Sequence, residues 1–311
     1  MELIRGLHNI RERHKGCVAT IGAFDGVHRG HQAVLDQLKQ KAEALGLPAL
    51  VITLEPLPRE YFAPKAAPAR LMSFREKITA LKEQGIDRVL GIHFDQAVSE
   101  VPAETFIEQI FHRQLGMKHM IVGDDLRFGH ARRGDFALLE KMGRDLGFGV
   151  SATHTLAIDG ERASSTRIRH TLESGDFALA EELLGRPYAM TGKVVYGQQL
   201  GRTINVPTAN LQLHRIKSPM AGVYAVQAQL KNDDRVINGV ANVGTRPTVG
   251  DNLTAILEAH LLDFDENIYN KTLTVTFRDK LRDEKKFASL ELLKKAIYQD
   301  IENAKDYFAG N

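Results

Sequence analysis

Short apolar runs alternate with helical patterns over the first 150 residues of the chain. The runs predict strands, and segments with an apolar residue at every third or fourth position predict helices. The predicted strands are residues 17–21, 49–54, 88–93, 119–123 and 148–153, and the predicted helices are residues 32–45, 74–84, 103–115 and 135–146. This alternation favours an α/β domain with a parallel sheet, in which ligands bind beyond the carboxyl ends of the strands.

The pattern changes at Arg186-Pro187, which follows two short predicted helices, residues 165–174 and 177–184. Beyond this dipeptide, strand-like segments follow one another with only turns between them. These strands are predicted at residues 188–195, 208–213, 222–230, 236–243, 254–263 and 271–281, and an amphipathic helix is predicted at residues 290–308. The sequence therefore predicts domains at 1–186 and 187–311, the second a small antiparallel β-barrel with a terminal helix.

The composition is that of an ordinary globular protein, with 43% hydrophobic and 26% charged residues. The chain has no apolar run long enough for a membrane span and no signal-peptide pattern at its start, so we expect a cytoplasmic protein without a membrane partner. A net charge of +2 gives no broad basic face, which argues against nucleic acid as a partner. The single cysteine, Cys17, is expected to be a core residue. We infer no obligate protein partner.

Two histidines three residues apart, His28 and His31, occupy a predicted strand-to-helix turn. Free backbone N–H groups and the helix dipole favour anions at such a turn, and Gly30 leaves room for a phosphate. Both imidazoles could donate hydrogen bonds to phosphoryl oxygens. Two alternatives remain open for this short motif: incidental surface histidines, and a metal pair that lacks an obvious third ligand.

A second candidate anion site opens the predicted helix at residues 165–174. Ser164, Ser165 and Thr166 supply hydroxyl groups, and Arg167 and Arg169 supply guanidinium groups that could bind a triphosphate. The alternative is a capped helix on the protein surface.

A third candidate site lies at the start of the predicted barrel, where Gly192, Gly197 and Gly201 punctuate a strand and loop. This segment is not a Walker P-loop, because no Gly-Lys-Ser/Thr follows. Thr208 and Asn210 are two residues apart, so an extended strand would place both side chains on one face, where their oxygen atoms could bind Mg²⁺. A polar outer face of a barrel strand is the alternative.

A carboxylate, Glu258, lies in a predicted strand between Leu257 and the apolar pair Leu261-Leu262. Placing a carboxylate there is costly unless the group is paired, liganded or catalytic. A structural ion pair with Arg202 or Arg246 is the alternative to a catalytic role.

These motifs together resemble a known family. The segment Ile21-Gly22-Ala23-Phe24-Asp25-Gly26-Val27-His28-Arg29-Gly30-His31, with Ser164–Arg169, is similar to the nucleotidylyltransferase superfamily, whose fold is Rossmann-like. It resembles most closely the bacterial bifunctional riboflavin kinases/FMN adenylyltransferases, or FAD synthetases. Gly201-Arg202 followed by Pro207-Thr208-Ala209-Asn210 resembles the riboflavin kinase signature. The resemblance covers residues 18 to 304.

The resemblance implies that the enzyme phosphorylates riboflavin to FMN and then adenylylates FMN to FAD, using ATP and Mg²⁺ in both steps. The residues that it implies in the adenylyl step are His28 and His31 for catalysis, Gly22, Phe24, Asp25, Gly30, Ser164, Ser165, Thr166 and Arg169 for ATP, and Glu55, Pro56, Asp125 and Phe128 for the flavin. Those that it implies in the kinase step are Glu258 as the base, Gly192, Gly197, Gly201, Arg202 and Pro207 for ATP, and Thr208 and Asn210 for Mg²⁺. The sequence departs from the family pattern at Leu57, Leu126 and Asn205.

Two rival functions are weaker. A simple nucleotidylyltransferase with a regulatory barrel would leave Glu258 and the Pro207–Asn210 string without a role. A flavin-storing or RNA-binding module without catalysis would have degraded catalytic positions, whereas here they are intact.

Overall fold

The computed structural model describes residues 1–123, 125–153, 157–158, 160–197, 206–247 and 253–310. The chain forms two compact units. The first, called the sheet unit here, comprises Met1–Ala67 and Phe74–Ala163; the second, the barrel unit, comprises Pro68–Ser73 and Ser164–Asn311. The two short helices before residue 186 therefore fold with the barrel, and the domain division at residue 186 stays a prediction.

The sheet unit is built on a six-stranded parallel sheet with the strand order β1-β4-β3-β2-β5-β6. The strands are β1 (Glu2–Arg5), β2 (Val18–Ile21), β3 (Ala49–Glu55), β4 (Arg88–His93), β5 (His119–Val122) and β6 (Gly149–Ala152). A two-stranded hairpin follows, β7 (Ala157–Ile158) and β8 (Glu161–Arg162). The predicted parallel sheet is confirmed, and β1 is an additional edge strand that the sequence analysis missed.

Helices connect the strands of this sheet. They are α1 (Arg29–Leu45), α2 (Pro58–Phe62), α3 (Phe74–Glu83), α4 (Gln96–Ser99), α5 (Ala103–Thr105), a π-helix (Phe106–Gln114) and α6 (Phe136–Leu146), with 3-10 turns at Leu7–Asn9, Glu12–His14 and His130–Arg132. The single helix predicted at residues 103–115 is thus α5 continued by π-helical winding, which buries Phe106, Ile107, Ile110 and Phe111 in the core. No helix in the described ranges is long and apolar enough to span a bilayer.

The order in which strands are added to the sheet reverses at β2. From β2 the chain adds β3 and β4 on one side, then crosses to β5 and β6 on the other. Loops leaving neighbouring strands in opposite directions open a crevice at such a switch point, where α/β proteins bind their ligands. The loop that leaves β2 carries His28, so the fold places this residue at the crevice.

The barrel unit is a closed six-stranded barrel with the strand order β10-β13-β12-β11-β14-β9, as predicted. Its elements are α7 (Ser165–Ser174), α8 (Phe177–Leu184), β9 (Ala189–Val195), β10 (Ala209–Gln212), β11 (Gly222–Leu230), β12 (Ile237–Pro247), β13 (Leu253–Leu261), β14 (Thr272–Arg282) and α9 (Leu290–Gly310). Side chains of β9, β10 and β13 are buried at alternate positions, as expected for strands with one face inside a barrel.

Helix α9 packs on the outside of the barrel. Its buried residues Ile301 and Ala304 belong to an apolar cluster with Val206, Val223 and Val240. In addition, the carboxylate of Asp300 accepts hydrogen bonds from Nε and Nη2 of Arg282, both at 2.8 Å. Apolar burial and a bidentate ion pair therefore hold α9 against the barrel wall.

Candidate active sites

The turn after β2 brings the two predicted histidines together. His28 is the N-cap of α1, and its Nδ1 accepts a hydrogen bond of 3.3 Å from the backbone N–H of His31. The two rings stack with their centroids 3.7 Å apart and an interplanar angle of 19°. Because Nδ1 of His28 is an acceptor here, a neutral His28 carries its proton on Nε2, and only this nitrogen can donate to a ligand. Helix α1 begins at Arg29, three residues before the predicted start.

The surroundings of His31 favour the neutral form of its imidazole. Its Nδ1 is buried and has no hydrogen-bond partner among the described residues. Burial lowers the pKa of His31 well below its ordinary value, and the nearby groups His28, Lys77 and Arg162 lower it further. A buried polar nitrogen without a partner carries a desolvation cost that a bound ligand atom would relieve. The site is therefore suited to a group that accepts or donates a hydrogen bond at this nitrogen.

The backbone of the turn is shaped around the same two rings. A Cβ atom at Gly30 would lie 3.0 Å from the carbonyl oxygen of Ala163 and 3.2 Å from the His28 ring, so a larger residue would crowd the turn. Phe24 and Val27 adopt left-handed backbone angles, with φ of 47° and 39°. Such angles are strained for residues with a side chain, and strain of this kind concentrates at functional sites.

The other residues predicted to bind ATP around this turn are close to it in the fold. Phe24 is buried, and its ring centroid lies 5.0 Å from that of His31. The Asp25 side chain is also buried, and the backbone N–H of Gly22 donates to Ile52 at 3.0 Å across the sheet. These contacts tie the turn to the ends of β2 and β3.

The predicted second anion site begins α7 in the barrel unit. Ser164 is its N-cap, with Oγ accepting a hydrogen bond of 3.2 Å from the N–H of Arg167. Ser165 and Thr166 follow in the first helical turn, and Nε of Arg169 donates to the carbonyl oxygen of Ala69 at 2.5 Å. The predicted cooperation of these residues with His28 and His31 stays a prediction.

A mostly apolar cavity of about 450 Å³ lies beside the β2 turn in the sheet unit. Residues that line it include Gly22, Leu54, Leu57, Phe62, Phe94, Phe106, Leu126, Arg127, Phe128 and Arg132. Of the four residues predicted to bind flavin, Phe128 lines this cavity, whereas Glu55, Pro56 and Asp125 do not. Asp125 is exposed and accepts a hydrogen bond of 3.2 Å from Arg162. Leu57 and Leu126, the two departures from the family pattern, both face the cavity.

A lysine near this turn, which the sequence pattern did not single out, is buried. Lys77 lies in α3 with only 1% of its side chain exposed, and its Nζ donates to Oγ1 of Thr53 at 3.3 Å. Oε2 of Glu55 is 4.0 Å from the same nitrogen. A lysine in an amphipathic helix normally indicates a solvated face, so only the tertiary structure reveals this site.

In the barrel unit, strand register aligns three polar side chains. Glu258 on β13 pairs with Asn210 on β10 and with Asn242 on β12, so the three residues lie side by side across neighbouring strands. Their strand neighbours Ala209, Leu211, Leu257 and Ala259 are buried inside the barrel, which leaves the three polar residues on the outer face. Thr208 immediately precedes β10 rather than lying within it, which differs from the predicted strand at residues 208–213. Asn242 was not singled out from the sequence, because only the register places it beside Glu258.

Two cavities meet at Thr208. One, of about 330 Å³, lies between the barrel and α9; Thr208, Val223, Asn242, Glu258, His260, Arg282, Phe287, Leu293, Ile297 and Asp300 are among its lining residues. The other, of about 220 Å³, is lined by Val194, Pro207, Thr208, Ala209, Ala259, Leu261 and residues 264–269. The carbonyl oxygen of Pro207 and Nδ1 of His260 are 2.8 Å apart, so this histidine holds the segment that carries Thr208.

The predicted kinase glycines are packed closely against the neighbouring strand. A Cβ atom at Gly192 would lie 2.8 Å from the carbonyl oxygen of Gln212, and one at Gly197 would overlap the side chain of Asn210. Gly201, Arg202 and Asn205 lie outside the described residues, and so does the side chain of Arg246. The predicted roles of these residues, including the alternative ion pairs of Glu258, stay predictions.

Comparison with known proteins identifies both units. Residues 10–167 match the family model for FAD synthetase, and residues 184–308 match the family model for riboflavin kinase. These matches define a class of two-part enzyme, a nucleotidyltransferase followed by a kinase.

Curated relatives match over nearly their whole length. A bifunctional riboflavin kinase/FMN adenylyltransferase of Pseudomonas fluorescens is 50% identical, covering 98% of this chain and 97% of the relative. The protein of the same name from Haemophilus influenzae is 48% identical, covering 99% of both chains. The chain belongs to the family of bifunctional riboflavin kinase/FMN adenylyltransferases, as its motifs implied.

One solved structure has a similar fold over nearly the whole of both chains. It is a Streptococcus pneumoniae protein titled a macrolide-efflux protein, with a TM-score of 0.79, 28% identity, and coverage of 98% of this chain and 99% of that one. The likeness supports the two-unit fold.

The depressed pKa of His31 predicts how the sheet unit responds to acid. Unfolding exposes His31 and restores its ordinary pKa of about 6.5, so the unfolded chain binds a proton that the folded chain resists. The stabilising contribution of neutral His31 is therefore complete above about pH 6.5 and is lost as the pH falls toward the folded pKa. We expect urea unfolding of the full chain between pH 7.5 and 5.5 to show this loss, and His31→Gln to reduce it.

The matched control is His8→Gln, at an exposed histidine of the same unit. It should keep the wild-type dependence on pH. An equal loss of stability on acidification in wild type and His31→Gln would contradict the assignment of a neutral His31 with a buried Nδ1.

Proposed function

We propose that the chain makes FMN and then FAD, with ATP as the co-substrate of both steps. In the barrel unit, the riboflavin 5′-hydroxyl takes the γ-phosphoryl group of ATP, giving FMN and ADP. In the sheet unit, the phosphate of FMN attacks the α-phosphorus of a second ATP, giving FAD and pyrophosphate. The observation that carries the proposal is the position of Thr208, on the wall shared by two cavities, one of which contains Glu258.

A phosphoryl transfer needs two binding pockets that meet at the reacting atoms. The cavity beneath α9 has an apolar part, with Val223, Phe287 and Leu293, that suits the flavin ring. The smaller cavity suits the nucleotide, and its lining includes Pro207, a residue predicted to bind ATP. The reacting hydroxyl and the γ-phosphorus would then meet beside Thr208.

Glu258 fits the role of general base in this step. It lies on the outer barrel face and lines the proposed riboflavin cavity, where it can accept the proton of the 5′-hydroxyl as the oxygen attacks. Asn210 and Asn242 flank it on both neighbouring strands. Their amide groups can orient the carboxylate or the ribityl chain.

The oxygen atoms of Thr208 and Asn210 suit Mg²⁺, a hard cation that prefers oxygen ligands and keeps several of its waters and phosphate ligands. Thr208 lines the same cavity as Glu258, and Asn210 pairs with Glu258 across the strands. When bound, the ion would neutralise charge on the transferred phosphoryl group.

In the sheet unit, the apolar cavity of about 450 Å³ suits the flavin ring of FMN, with Phe128 and Leu126 in its wall. Gly22 and Ala23 of the β2 loop line the same cavity, which places it next to the segment that carries His28. Nε2 of His28 can donate to the phosphates as negative charge develops in the transition state. The proposed ligands of the triphosphate remain Ser164, Ser165, Thr166 and Arg169.

We also propose that the protein is cytoplasmic.

The first prediction concerns the adenylyl step. His28→Ala removes both the N-cap and the Nε2 donor, so FAD formation from FMN and ATP should fall roughly 10- to 1000-fold. FMN formation from riboflavin and ATP should persist in the same preparation, measured by separating the flavins chromatographically. His8→Ala is the control for the substitution itself. Equal losses of the two activities in a folded His28→Ala protein would refute separate sites.

The second prediction concerns the base. Glu258→Gln keeps the shape and hydrogen-bonding capacity of the side chain but cannot accept the proton, so riboflavin phosphorylation should slow by roughly 10²- to 10⁴-fold. Riboflavin binding, measured by quenching of flavin fluorescence, should change far less. Glu302→Gln, on the exposed side of α9, is the control. A fully active Glu258→Gln enzyme would remove Glu258 from the mechanism.

The third prediction concerns the cation. Thr208→Val and Asn210→Leu keep approximate size but remove the oxygen atoms, so each should raise the Mg²⁺ concentration required for half-maximal riboflavin phosphorylation. The Mg²⁺ requirement of FAD formation from FMN should stay unchanged, which provides a control within the same chain. If both variants required the same Mg²⁺ concentration as the wild type, Thr208 and Asn210 would be ordinary barrel residues and not cation ligands.

A further inference from the structure

Lys77 is a buried cation that the steps above do not use. Its side chain is 1% exposed within α3, although lysine is among the residues least often buried completely. Burial of an ammonium group is costly unless polar partners surround it. A lysine retained at such a position therefore needs a physical reason.

The partners of Lys77 lie at the carboxyl end of β3. Thr53 and Glu55 are two residues apart, so their side chains share one face of the strand. Nζ of Lys77 donates to Thr53 at 3.3 Å and lies 4.0 Å from Oε2 of Glu55, and it is 6.0 Å from the centroid of the Phe74 ring. The ammonium group thus contacts two side chains at the end of β3.

This end of β3 adjoins the turn that carries His28. The register pairs Ile21 of β2 with Ile52 of β3, and the next residue, Gly22, donates its N–H to Ile52. Thr53 therefore lies beside the first residues of the β2 loop. Lys77 therefore contacts a residue that adjoins the backbone leading to the histidines.

The charge of Lys77 also reaches His31. Among the described residues, the groups that oppose protonation of His31 are His28 at the N-cap of α1, Lys77 in α3 and Arg162 in β8, and they add to the larger effect of burial. All three lie in the sheet unit. A fixed positive charge in a dry environment also offsets negative charge nearby, because the local dielectric constant is low.

We propose that Lys77 is a positioning residue for adenylyl transfer, which holds the end of β3 and keeps a fixed positive charge behind the His28–His31 turn. The inference rests on the proposed adenylyltransferase activity of the sheet unit. In that reaction two anions, the triphosphate of ATP and the phosphate of FMN, must approach each other. A buried ammonium group that touches neither substrate lowers the electrostatic cost of this approach and needs no reorganisation during the reaction.

The test compares Lys77→Met, Lys77→Arg and the control Lys82→Met, an exposed lysine of the same helix, in the full-length chain. FAD formation is measured from FMN and ATP between pH 5 and pH 9, and FMN formation from riboflavin reports on the barrel unit. Lys77→Met should lower kcat for FAD formation by about 10- to 100-fold, the scale of a small misplacement of reacting groups. Riboflavin phosphorylation and the Lys82→Met enzyme should be unaffected.

The pH profile separates this role from a purely structural one. Without Lys77, less charge opposes protonation of His31, so the acid limb of FAD formation should move to higher pH in Lys77→Met. Lys77→Arg keeps the charge and should keep the limb where the wild type has it, even if its kcat falls. A limb that stays in place in Lys77→Met, or moves equally in both variants, would overturn the proposal.

A second variant covers the case in which Lys77→Met does not fold. Lys77→Met/Thr53→Val replaces the polar pair by apolar groups of similar volume, an exchange that buried polar pairs often tolerate. A shifted acid limb in this protein supports the proposal, and an unshifted limb refutes it. A wild-type enzyme that makes no FAD from FMN and ATP would instead refute the proposed function.

Discussion

One constraint shapes the turn after β2: His31 stacks on the His28 ring with its Nδ1 buried, and this favours the uncharged form of His31. Burial does most of this, and the stacked ring of His28 and the charges of Lys77 and Arg162 add to it. A neutral histidine adds no positive charge and can serve as a hydrogen-bonding group of defined protonation. In the proposed adenylyl step, positive charge for the phosphates would come from residues behind the turn and from the amino end of α1.

In the barrel unit, the proposed kinase step requires two substrates to meet at one hydroxyl group. Its closed wall supplies a rigid surface on which Asn210, Glu258 and Asn242 are fixed by strand register. Helix α9, held by the Arg282–Asp300 ion pair, covers the apolar part of the adjoining cavity. The placement of these three side chains therefore depends on the register of three strands, and a shift by one residue would turn Glu258 toward the barrel interior.

The sequence predicted most of the fold because its periodicities are strong. Strands such as Arg88–His93 and helices such as Ser165–Ser174 have the predicted bounds. Strand β1, Glu2–Arg5, was missed because its two apolar residues lie between charged ones and form no apolar run. Helix α1 starts earlier than expected because histidine is an unusual N-cap. Lys77 and Asn242 could not be found from the sequence, since Thr53, which accepts a hydrogen bond from the first, is distant along the chain, and placement of the second depends on strand pairing.

Closure of the barrel has a consequence for how the molecule meets other chains. A closed barrel presents no strand with a free backbone edge, so another polypeptide cannot extend it by adding a strand. The parallel sheet does have edges, at β1 and β6, but each of these strands has only four residues. Edge strands this short offer few backbone groups for pairing, which limits aggregation through the sheet while the neighbouring loops stay open for substrates.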